Sequence, residues 1–82
     1  MTDRADQIIS VVSEALEVPP DTLSRDSSMD TVLQWDSLAH LNICLLFEER
    51  FNLQLDMEEI AQATSVDALL QLLASRENNE PR

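Results

Sequence analysis

The sequence predicts an all-α domain, a small bundle of four helices in which three are long and one is short. Apolar residues return at helical spacing in four separate segments. Between those segments stand a proline pair, a capping aspartate and runs of Ser, Thr and Asp, which are helix boundary signals. With 82 residues the chain has room for one core only, since a chain of this size buries about 60% of its unfolded surface.

The first helix is expected over residues 3–18, where Ala5, Ile8, Ile9, Val12, Ala15 and Leu16 share a face and Asp6 suits the dipole at the start. Pro19 and Pro20 end it, because proline disfavours helical geometry in the residue before it and lacks the N–H that a helix interior needs. A polar connection over 19–35 follows. A loop of that length in so small a domain should be pinned, and Leu23, Met29, Val32 and Leu33 are spaced as anchors. The second helix is expected over 37–51, with Leu38, Leu41, Cys44, Leu45 and Phe47 as its inward stripe. Residues 52–56 form a turn with Leu53 and Leu55 facing in. Asp56 then caps a short third helix through Ala63, with Glu58 and Glu59 in its first turn. Thr64 or Ser65 starts the fourth, with Val66, Leu69, Leu70 and Leu73 on one face. From Ser75 the pattern is lost, so the domain is expected over 1–76 and a frayed tail over 77–82.

Sixteen acids against five bases leave a formal charge of −11. Nucleic acid and anionic membrane are excluded as partners, since both require positive surface. Partners are expected to be basic patches on other proteins, and the chain itself a monomer. The acids are spread along the chain and 44% of residues are hydrophobic, which describes an acidic globule and not a disordered segment. The single Cys44 cannot form an internal disulfide, and the N-terminus has no long apolar stretch, so a cytoplasmic protein is expected. Cys44 lies in an apolar run and reads as a buried small hydrophobe. The chain has no glycine, which excludes a glycine-rich phosphate loop.

The most informative residues are Asp36-Ser37-Leu38, where a polar loop gives way to the second helix. A hydroxyl there sits beside an acid at a helix N-terminus, where unpaired backbone N–H groups and the dipole favour a phosphate ester. From about Met29 to Leu73 the chain resembles the acyl carrier protein family, on the pattern Leu33-Gln34-Trp35-Asp36-Ser37-Leu38 running through Glu48-Glu49-Arg50-Phe51. The resemblance implies an acyl-carrier-type bundle. It also implies that a phosphopantetheinyl transferase attaches 4′-phosphopantetheine, taken from coenzyme A, to Ser37, and that the terminal thiol of this arm holds an acyl group as a thioester. It further implies that Asp36, Leu38, Trp35, His40, Glu48 and Glu49 meet the basic docking patches of that transferase and of the ligases, synthases and transferases that load and unload the arm. Leu41, Leu45, Leu55, Ile60 and Ala63 are the residues that would line an acyl slot between the second and third helices; an ordinary packed core is the competing account of each.

Two departures from the family pattern stand out. Gln34 and Trp35 take the place of a glycine that many carriers have just before the serine. Trp35 is either a partly exposed aromatic that shields the root of the arm, or a loop anchor packed on the second helix. One turn after Ser37, where fatty-acid-type carriers show acids, stand Ala39 and Asn42, which argues for partners outside the fatty acid synthase set. Catalysis is not expected: His40, the one histidine, follows Ser37 by three residues, but no glycine turn or oxyanion donors accompany the pair. No metal-ligand spacing is present. The expected function is therefore an acyl carrier of a lipid, polyketide or other specialised pathway. The alternatives are an aminoacyl or peptidyl carrier loaded by an adenylating enzyme, and an acidic helical interaction module without an arm.

Overall fold

A computed structural model of the chain describes residues 3–78. It contains four α-helices, α1 (Arg4–Leu16), α2 (Ser37–Phe51), α3 (Met57–Gln62) and α4 (Val66–Asn78), with a 3-10 turn at Pro20–Thr22. The all-α bundle of three main helices and one short helix is the expected fold.

Asp3 caps α1 by accepting the Asp6 amide at 2.9 Å. The helix ends at Leu16, two residues before the expected limit, because Pro19 forces Val18 into extended geometry and the reversal is completed ahead of it. With no glycine available, Glu17 takes the left-handed conformation at φ 59°. That geometry costs a non-glycine residue roughly 1–2 kcal/mol, and it is held by the Ser13 hydroxyl donating to the Val18 carbonyl at 2.6 Å.

The long connection is ordered because its backbone is sewn to the α3–α4 junction. Met29 N–H donates to the Thr64 carbonyl and Val66 N–H to the Ser27 carbonyl, both at 3.0 Å. Leu23 and Trp35 are its buried anchors, with Met29 and Val32 half-buried against the core. Leu33 is no anchor: it is 94% exposed. Trp35 N–H bonds the Val32 carbonyl at 3.0 Å, a turn that leaves Leu33 and Gln34 at its tip.

On α2 the buried residues are His40, Ile43, Cys44 and Phe47. The expected stripe is corrected in part, because Leu38, Leu41 and Leu45 are 72%, 52% and 62% exposed. At 100° per residue those leucines lie about 140° around the helix from the buried face. α2 ends at Asn52, left-handed at φ 55°, and the following turn buries Leu55 and half-buries Leu53. A capping box joins Asp56 and Glu59 at the start of α3. Ser65 caps α4, its hydroxyl accepting the Ala68 amide at 2.9 Å. Val66, Leu69 and Leu73 are buried as expected, and the helix continues to Asn78 instead of losing its form at Ser75. Residues 79–82 lie outside the described residues.

α1 packs on both α2 and α4, and the core they enclose is built on Ile8, Val11, Val12, Ile43, Phe47 and Leu69. α3 differs from the others, for none of its own residues is buried. No helix among the described residues is long and apolar enough to cross a membrane.

Candidate functional site

Ser37 is the first residue of α2 and Asp36 is its cap. The Asp36 Oδ1 accepts the Ala39 amide at 2.9 Å, and its carbonyl accepts the His40 amide at 2.8 Å. Two first-turn amides, those of Ser37 and Leu38, have no acceptor within the helix. Asp36, Ser37 and Leu38 are all exposed. The serine hydroxyl therefore stands in water next to unpaired donors and the positive end of the helix dipole, a setting that fits a phosphodiester.

The residue two places before Ser37 turns the other way. Trp35 is 2% exposed, so it is the packed anchor and not a partner-facing aromatic. Its indole N–H donates to His40 Nδ1 at 3.1 Å, with the two rings stacked at 29° and 6.2 Å between centroids. Because the indole only donates, Nδ1 carries a lone pair and the ring proton is on Nε2. That nitrogen donates to the Ile60 carbonyl at 2.6 Å. His40, expected among the partner contacts, is thus 7% exposed with both nitrogens committed, and neither is free to act as a base toward Ser37.

Cys44 Sγ lies 3.8 Å from His40 Nε2 and is buried as expected. Burial, reinforced by the charge of Glu48, pushes its thiol up to about 11, which removes it from consideration as a nucleophile at neutral pH. Glu48 is also corrected: its carboxylate accepts the Leu55 amide at 2.7 Å in a part-buried setting, so it clasps the turn after α2. Glu49 is exposed.

The five residues expected at an acyl slot are not brought together. Leu55 and Ala63 are in the core and Ile60 is half-buried, but Leu41 and Leu45 face solvent on the far side of α2. From Ser37 to Phe47 the helix contains no Asp, Glu, Lys or Arg. Its outward face is Leu38, Leu41, Asn42 and Leu45, bounded by Asp36 at one end and Glu49 at the other. Among the described residues no group of His, Cys, Asp and Glu is arranged to hold a metal ion.

Sequence reasoning missed Ile43 as a core residue and the Trp35–His40 bond. A signal for the second existed, since His40 and Cys44 are one turn apart on a single face and a polar residue on a buried face needs a partner. A family model described as a phosphopantetheine attachment site matches residues 6–73. No curated protein matches the chain.

Proposed function

The chain belongs to the phosphopantetheine attachment site family, and from that premise we propose that Ser37 is its attachment residue and that the protein carries acyl groups between the enzymes of a specialised lipid or polyketide pathway. Domains of this family are attachment sites for covalently bound 4′-phosphopantetheine and engage a phosphopantetheinyl transferase and pathway enzymes. The observation that carries the assignment is the exposed Ser37 hydroxyl at the first position of α2, with the unpaired Ser37 and Leu38 amides beside it.

Each neighbour has a separate task in this reading. Asp36 fixes the start of the helix through its cap, and its second carboxylate oxygen remains available to a basic group of the transferase. Leu38, Leu41 and Leu45 form the surface a partner covers once the serine is engaged, and Glu49 supplies charge at its far end. Once attached, the arm supplies a terminal thiol that holds the cargo as a thioester. The neutral middle of this face, with Ala39 and Asn42 where acids would strengthen steering, supports partners outside the fatty acid synthase set. The cytoplasmic setting expected from the single cysteine is part of the same proposal.

The test is the intact mass of the protein after incubation with coenzyme A, magnesium and a broad-specificity transferase. The wild-type chain should gain one arm and Ser37→Ala none. A Ser37→Ala protein that gains an arm overturns the assignment.

A further inference from the structure

We propose that His40 is a positioning residue that fastens α3 to the turn presenting Ser37, so that the seating of α3 and the presentation of the serine are one property. The proposal rests on the reading of Ser37 as the attachment residue.

α3 needs such a fastening. It is six residues long and none of them is buried, and a helix so short does not hold itself together in water. Its ties to the rest of the protein are specific: the Ile60 carbonyl on His40, Glu59 on Arg76, and Ala63 seated in the core just after its last turn. Of these, only the bond to His40 leads toward the site. The same imidazole that holds Ile60 through Nε2 holds Trp35 through Nδ1, and Trp35 is two residues before Ser37.

The arrangement has a definite sense. The ring must be neutral and protonated on Nε2, because it accepts at one nitrogen and donates at the other. It is buried, so water does not replace either partner, and losing one bond leaves a buried polar group unsatisfied. A leucine at this position would fill the space and hold neither neighbour. From His40 the connection runs through the packed indole to the backbone of Asp36, whose carboxylate and carbonyl bond the Ala39 and His40 amides and so set the first turn. Displacing α3 breaks the Ile60 bond, frees the imidazole to turn, and slackens the support under Trp35. Releasing Trp35 acts on α3 by the same route.

The test is a double-mutant cycle on arm attachment, with Trp35→Phe, which keeps a ring and removes the N–H, and His40→Gln. Steady-state kinetics of the transferase with coenzyme A are measured at a temperature where circular dichroism shows every variant folded. Each single variant should lower kcat by about three- to tenfold with KM little changed, and the double variant should fall no further than the worse single. An unchanged kcat, or losses that multiply in the double variant, would overturn the proposal. If His40→Gln does not fold, hydrogen exchange of the wild-type protein decides the matter. The Trp35 indole N–H and the Ala63 amide at the end of α3 should exchange through a single opening with the same protection, and an indole that exchanges far faster than Ala63 contradicts the tie. The exchange measurement requires no arm, so a wild-type protein that fails to be modified refutes the Ser37 reading and leaves the tie to be judged separately.

Discussion

Cys44 shows how strongly a single residue's surroundings decide its chemistry. The thiol is buried beside His40, and burial together with the Glu48 carboxylate raises its pKa from 9.0 to about 11. A raised folded-state value means that the neutral thiol's contribution to stability is complete below pH 9 and is lost as pH climbs from 9 through 11. The urea midpoint of the wild type should therefore fall across that interval more than that of Cys44→Ala. At pH 8 iodoacetamide should alkylate the folded protein at least about a hundredfold more slowly than the urea-unfolded chain, the ratio of thiolate fractions alone. Comparable rates would mean that Cys44 is exposed. Asp36 and Ser37 were legible from sequence because their roles are local: a cap and a first-turn residue are defined within four positions. The burial of Trp35 and His40 was not, since what satisfies them is the carbonyl of Ile60, twenty residues further on.

Among the elements, α2 has to face two ways. Its inner side, His40, Ile43, Cys44 and Phe47, belongs to the core, and its outer side, Leu38, Leu41 and Leu45, does not. Ile43→Ala should cost about 2–5 kcal/mol in urea unfolding, whereas Leu45→Gln should stay within about 0.5 kcal/mol. Equal costs would show that the outer leucines are packed. The sequence located this helix but not its inward face, because both sets of residues satisfy helical spacing and no charged stripe opposes either one. α1 and α4 carry acids or amides on their outer faces, and there the inward residues Ile8, Val12, Val66, Leu69 and Leu73 were read correctly. The long connection was expected to be ordered, and its tie to the α3–α4 junction is made by backbone groups of Ser27, Met29, Thr64 and Val66, which side-chain patterns do not report.

At the scale of the whole molecule, charge is the dominant constraint. The five bases, all arginines, face sixteen acids. The pairs Arg50–Glu14 at 2.8 Å and Arg25–Asp67 at 3.4 Å have both partners well exposed, where such contacts contribute about 0–1 kcal/mol. Repulsion among the remaining carboxylates should be relieved by salt, which screens exposed charges beyond roughly 10 Å at 0.1 M. The melting temperature should rise between low salt and a few tenths molar sodium chloride. A flat or falling dependence would show that the acids are already well spaced.

The central claim is that this acidic bundle exists to hold an arm at one serine. Trypsin cleaves the chain after Arg25 and Arg50, releasing residues 26–50, a peptide that contains Ser27, Ser28, Thr31 and Ser37. Fragment-ion mass spectrometry of that peptide, from protein treated with coenzyme A and transferase, assigns the arm to one hydroxyl among the four. The account predicts that it sits on Ser37 alone; an arm on Ser27, Ser28 or Thr31, or on a different peptide, would contradict it.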